Sequence, residues 1–226
     1  MMLDRELPRV MESRDRLDLA DIRRPAFNLA IWKRGHSREQ DGLSAALLSG
    51  MSASIDVTVD LSRSRGAVAC AISGFPAPRA VVVRWQADVL DLAQWFGRIA
   101  GTAAVRLRLG TVRGLACRLF HADYVGLRLL CTYSGPGTEY LEESNVNRSA
   151  LGKGRNQDIV RSRRLIRRLD TNDVGLFKGE AYPGNSGLGI VHRSPPASRR
   201  APRLVLCIDA GEQSNLEGAA ELRRPS

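Results

Sequence analysis

The sequence predicts an α+β fold that is mainly β, with a β-sandwich or jelly-roll core over residues 101–210 behind an N-terminal elaboration with helices over residues 1–100. Three observations predict it. From Val105 onward, short apolar or alternating runs are separated by turns; a single long amphipathic stripe precedes them; and 226 residues with 43% apolar content suffice to bury a core. Residues 1–210 are expected to form one domain. Residues 211–226, polar and ending Arg223-Arg224-Pro225-Ser226, are expected to be a disordered tail.

In chain order, the first 25 residues are charged, and Pro25 limits any helix there. Residues 26–34 form the first apolar anchor. Leu43 to Ser49, stopped by Gly50, reads as a short helix, and Ile55 to Leu61 alternates as a half-exposed strand. Ala80-Val81-Val82-Val83 reads as a buried strand. Asp88 then opens the clearest helix: Val89, Leu92, Ala93, Phe96 and Ile99 make one apolar stripe, Asp91 suits the first turn, and Gly101 stops it. Strands follow at Val105–Leu109, Leu115–Asp123, Val125–Tyr133 and Val174–Lys178. Gly189-Ile190-Val191-His192 and Arg203–Asp209 complete the set.

Composition excludes several classes. No apolar run is long enough to span a membrane, the start lacks a signal-peptide layout, and a cytoplasmic location is expected. The four cysteines, Cys70, Cys117, Cys131 and Cys207, form no C-x-x-C pair, and three lie in strand-like apolar context, which implies buried reduced thiols. The net charge of +10 is almost all arginine, dispersed along the chain, and only Lys33, Lys153 and Lys178 are lysines. Its densest cluster, Arg161 to Arg168, reads as a solvated helix face; with no recognised motif beside it, nucleic-acid binding is not expected. Phosphate-loop and dinucleotide-binding glycine patterns are absent from the sequence.

The chemistry lies in two of the three histidines. His121-Ala122-Asp123 and the distant His192 give H-x-D…H, and two imidazoles with one carboxylate on one face of a metal are the ligand set of non-haem Fe(II) oxygenases. On an extended strand His121 and Asp123 share a face, with Cα atoms about 7 Å apart, so both can reach one ion. The bland reading, two hydrogen-bonded histidines without metal, stands beside it. Arg203, opening the last strand, is the candidate to hold a carboxylate bidentately, with Arg193, Arg199 and Arg200 as competitors. Tyr133 is the candidate to hydrogen-bond the same cosubstrate.

H-x-D, distal H and following R resemble the Fe(II)/2-oxoglutarate dioxygenase superfamily, which implies a double-stranded β-helix (jelly roll), Fe(II) and 2-oxoglutarate. The metal ligands would be His121, Asp123 and His192, with Arg203 anchoring the cosubstrate. Longer stretches, Cys117 to Asp123, Arg128 to Glu139, Lys178 to Asn185, His192 to Pro196 and, near the N-terminus, Asn28 to Arg34, resemble an uncharacterised bacterial family, domain of unknown function 1826. That resemblance carries no activity, and it suggests a zinc-related gene context. Two readings follow: an Fe(II)-dependent oxygenase using 2-oxoglutarate, and a non-catalytic metal-binding protein on the same jelly roll. A fourth protein ligand such as Glu180 or Cys131 would mark the second.

Overall fold

The computed structural model describes residues 7–36, 38–48, 52, 54–75, 77–114, 117–195 and 201–211. The expected tail from residue 212, and Arg199 and Arg200, lie outside them. Among the described residues ten strands and four helices are formed, in order: β1 (Arg9–Ser13), β2 (Phe27–Trp32), α1 (Arg38–Leu48), β3 (Ser54–Asp60), α2 (Ser64–Ser73), α3 (Arg79–Ala100), β4 (Ala104–Val112), β5 (Leu127–Ser134), β6 (Glu139–Leu141), α4 (Asn156–Ile159), β7 (Arg167–Arg168), β8 (Val174–Lys178), β9 (Val191–Arg193) and β10 (Arg203–Ala210). Short 3-10 segments, including Arg16–Arg23, connect them. No helix among the described residues is long and apolar enough to cross a membrane.

A seven-stranded sheet runs β1-β2-β8-β5-β10-β4-β3, and a small sheet runs β7-β6-β9, to whose open edge the single bridge His121↔His192 adds a fourth position. From β4 onward the chain crosses between them: β4 large, the His121 segment small, β5 large, β6 and β7 small, β8 large, β9 small, β10 large. That alternation is a double-stranded β-helix, a jelly roll. β1 and β2 extend the large sheet at one edge and β3 at the other.

Apolar layers lie on both faces of each sheet. Helix α3 packs Val82, Trp85, Val89, Leu92 and Phe96 on the outer face of the large sheet against Leu107, Leu129, Leu206 and Ile208. Between the sheets lie Leu130, Tyr140, Phe177 and Ile190, and beyond the small sheet Phe120, Leu141, Ile159 and Val191 form a third cluster. Successive residues of a strand point to opposite faces, so Leu130 and Thr132 face the interior while Leu129, Cys131 and Tyr133 face the helices.

Three expectations are corrected. Ala80–Val83 is not a strand but the first turn of α3, which begins after Pro78 and closes at Gly101 in a left-handed conformation (φ 67). Val82 lies on the same buried stripe as Val89, so helix packing outweighs the β preference of three valines. The arginine cluster is not a helix: it is a 3-10 turn at Arg163–Leu165 followed by β7. Its arginines pair with carboxylates of β6 and the residue after it, Arg168 with Glu139 at 2.6 Å and Arg167 with Glu142 at 3.6 Å. Finally, all four cysteines are free, yet Cys70 and Cys117 are exposed and only Cys131 is buried.

Candidate metal centre

His121 and His192 are brought together by backbone pairing. The His121 N–H donates to the His192 carbonyl at 3.0 Å, and the His192 N–H donates back at 2.9 Å. Asn156 of α4 fixes the approach to His121, accepting from the Phe120 N–H at 2.7 Å and donating to the Arg118 carbonyl at 2.8 Å. Both imidazoles then curl back on their own strand: His121 Nδ1 lies 2.9 Å from the Leu119 carbonyl and His192 Nδ1 3.2 Å from the Ile190 carbonyl. A carbonyl only accepts, so each Nδ1 carries a proton, and Nε2, which donates to Asp123 when the ring is protonated, is the atom whose lone pair a metal takes once that proton leaves. The edge of Phe177 packs on the His192 ring at 5.0 Å between centroids.

Asp123 completes the group from outside any strand, just before the bend at residues 124–126. Its carbonyl accepts from the Glu180 N–H at 2.9 Å, its Oδ1 lies 3.5 Å from His121 Nε2, and its Oδ2 lies 3.2 Å from His192 Nε2. The three candidate ligand atoms all lie within 4.8 Å of one another. Arg128 grips Asp123 Oδ2 and also holds Asp209 through two bonds of 2.6 and 2.9 Å. Burial works against the Asp123 anion, but hydrogen bonds from both histidines and the charges around it hold its pKa well below the carboxylate range. The Asp123 carboxylate in turn raises the pKa of His121 against the effect of burial.

This donor set fits a divalent transition metal: two neutral imidazoles and an ionised carboxylate, each fixed by a second partner. Among the described residues no fourth His, Cys, Asp or Glu joins the group. Cys131 points toward the helices, Cys117 is exposed, and Glu180 is occupied by the Gly189 N–H at 3.1 Å, the Gly187 N–H and Arg148. The site is more open beside His121, whose side chain is 34% exposed against 7% for His192.

Arg203 is almost wholly buried, at 2% exposure, between the sheets. Its guanidinium donates to the Pro136 carbonyl at 2.6 Å, to Ser194 Oγ, and to the hydroxyls of Thr132 and Thr138 at 3.2 and 3.3 Å. Among the described residues no carboxylate pairs with it, and the nearby Glu139 is held instead by Arg168 and Arg193. Burial, with the charge of Arg168, pushes its pKa down to about 10. Its partner Ser194 lies two residues beyond His192, about 7 Å along an extended backbone from that candidate ligand.

A family model described as "Protein of unknown function (DUF1826)" matches residues 13–209. The chain belongs to the DUF1826 family. No curated protein matches it. Among solved structures it is similar to the rice dioxygenase for auxin oxidation, at 13% identity over 91% of this chain and 83% of that one with a TM-score of 0.49. Dioxygenase for auxin oxidation 1 from Arabidopsis thaliana, as its 2-oxoglutarate binary complex, gives 14% identity over 90% and 92% with a TM-score of 0.47. A full-length Neurospora crassa protein in complex with alpha-KG gives 13% over 93% and 86% with a TM-score of 0.45.

In this DUF1826 chain Tyr133 does not face the His121–Asp123–His192 group. It points to the helix side of β5, where its hydroxyl donates to Asp88 at 2.6 Å in a cavity shared with Trp32, Arg34 and Trp85. Its neighbour Thr132 takes the interior position. The sequence alone does not single out Arg128, Thr132, Thr138 or Ser194. Parity with Leu130 marks Arg128 and Thr132 only once the inward face of β5 is known. Of the competitors of Arg203, Arg193 is committed to Glu139 at 2.7 Å and stacks over Phe120.

Proposed function

We propose that this DUF1826 protein is a non-haem Fe(II)-dependent oxygenase that uses 2-oxoglutarate. The observation that carries the reading is a buried guanidinium without a carboxylate, aligned along the barrel with a three-ligand cluster that protein donors leave open. A buried cation of this kind is costly unless an anion joins it. A dicarboxylate whose keto acid end reaches the metal and whose far carboxylate reaches Arg203 supplies that anion.

Iron with 2-oxoglutarate, when bound, supplies oxidative decarboxylation coupled to oxygenation of a substrate. His121, Asp123 and His192 would hold the metal. Arg203 would receive the far carboxylate on the one N–H that Pro136, Ser194, Thr132 and Thr138 leave it, and those three hydroxyls, which accept from the guanidinium, have their own O–H to donate to the same anion. Leu130, between Arg128 and Thr132 on the interior face of β5, offers an apolar wall for the methylenes of the cosubstrate. Arg128 keeps Asp123 ionised and aimed, and the Leu119 and Ile190 carbonyls keep both Nε2 atoms available. A substrate would approach on the His121 side, where the site is exposed.

The test is an anaerobic titration of metal-free protein with Fe(II) and then 2-oxoglutarate, following visible absorption. A charge-transfer band that grows to one equivalent and is absent in His192→Ala supports the proposal. Tight metal binding with no response to 2-oxoglutarate overturns it and leaves a metal-binding protein without this cosubstrate.

A further inference from the structure

The stretch Lys178-Gly179-Glu180-Ala181-Tyr182-Pro183-Gly184-Asn185 supplies no side chain to the His121–Asp123–His192 group, yet it lines a second cavity. Lys178 ends β8 with the parity of Val174 and Leu176, so its side chain leaves the large sheet on the helix side, away from His192. It is 1% exposed. Its ammonium donates to the Arg24 carbonyl at 2.9 Å and lies 4.6 Å from the centre of the Tyr182 ring. Among the described residues no carboxylate approaches it, and burial lowers its pKa to about 8.

Lys178 lines a cavity of about 500 Å³ together with Arg23, Arg24, Tyr182 and Asn185. Three cations and no acidic side chain line it. Arg23 spends its guanidinium on the Ile99 and Arg98 carbonyls at 3.1 and 2.9 Å, and among the described residues the only carboxylate touching the group is Asp21, 3.0 Å from Arg24. A buried ammonium with one neutral acceptor has two N–H donors left, and a cationic lining of low dielectric strengthens its attraction for an anion.

We propose that this cavity is an anion-binding site, separate from the metal centre, that takes the phosphate or carboxylate group of a small ligand on Lys178, with Arg24 at its rim. The aromatic face of Tyr182 forms one wall, and the volume falls in the range of small-molecule sites. The site also stands behind the metal centre: the Lys178 carbonyl accepts from the Ile190 N–H at 2.9 Å, and the Ile190 carbonyl is the one that orients His192.

Calorimetric titration of the whole chain with inorganic phosphate, and separately with acetate at matched ionic strength, tests the site. We expect saturable binding of one of them, weakened about tenfold or more in Lys178→Met, the loss expected for a charged hydrogen bond. It should weaken severalfold in Arg24→Gln. Tighter phosphate binding identifies a phosphate ligand, and tighter acetate binding a carboxylate. Failure of both anions to saturate overturns the proposal, as does binding indifferent to both cavity variants. If Lys178→Met does not fold, Arg24→Gln decides, because that side chain is largely exposed and its loss leaves the core intact.

Discussion

His121 and His192 exchange both of their backbone hydrogen bonds, at 3.0 and 2.9 Å, so the two imidazoles belong to one two-residue unit of β structure. Their ring centroids stand 4.8 Å apart before any metal is considered. A ligand pair set by main chain rather than side-chain packing requires little rearrangement to close on an ion.

His192→Ala and Asp123→Asn should therefore each lower Fe(II) or Co(II) affinity by at least about 100-fold, more than loss of an outer partner costs, while leaving the fold intact. Anaerobic equilibrium dialysis together with circular dichroism checks this. Retained metal affinity in both variants would remove the site.

Arg203→Met should separate cosubstrate from metal. Metal affinity should stay within about twofold, and 2-oxoglutarate affinity should fall about 30- to 100-fold, the loss of a charge-assisted pair worth roughly 2–3 kcal/mol. Because the guanidinium is buried without a carboxylate, the metal-free variant should melt no lower than the parent. A large drop in melting temperature would instead mark Arg203 as structural.

The linked titration of His121 and Asp123 predicts opposite slopes. The raised pKa of His121 means its contribution to the metal-free fold is complete below 6.5 and is lost as pH rises through the raised value. The lowered pKa of Asp123 means its contribution is present above 3.8 and is lost as pH falls below that. Urea unfolding should thus show stability declining as pH rises past 6.5, and His121→Ala should flatten the decline. Metal affinity should rise over the same interval, because the ion competes with the His121 proton.

Gly179→Ala should disturb the centre from outside it. A Cβ there would lie 2.3 Å from the Val125 carbonyl and 2.7 Å from that of Asp123, and both are backbone atoms without freedom to retreat. Overpacking of this kind costs about 1–3 kcal/mol, and metal affinity should fall with stability because the carbonyl displaced belongs to a ligand. Thermal melts and metal titration of the same variant check both.

The site is legible in the sequence where residue type is scarce and unambiguous. With so few histidines, H-x-D and one later histidine leave little choice, and the strands β5, β8 and β10 announce themselves by apolar content. Tyr133 shows the limit. β5 is buried on both faces for nearly its whole length, so its sequence does not reveal which face is inward, and a one-residue error in parity exchanges Thr132 for Tyr133. Alternation along a strand suffices to bring Asp123 to His121, whereas the fold reaches the same end with an irregular segment held by Glu180 and Arg128. Ala80–Val83 is a different case. Three β-branched residues favour a strand locally, and only the position of Val82 on a stripe running through Trp85 and Val89 shows what they pack against.

The pairing of His121 with His192 also dictates an order of events. The segments that meet there are separated by β5, β6, β7 and β8, and the two histidines become neighbours only when β9 has docked beside the His121 segment. Metal therefore cannot nucleate the chain in the way it organises a short finger of local ligands. Loading follows assembly, and a nascent or partly unfolded chain presents isolated imidazoles that hold metal no better than a free peptide.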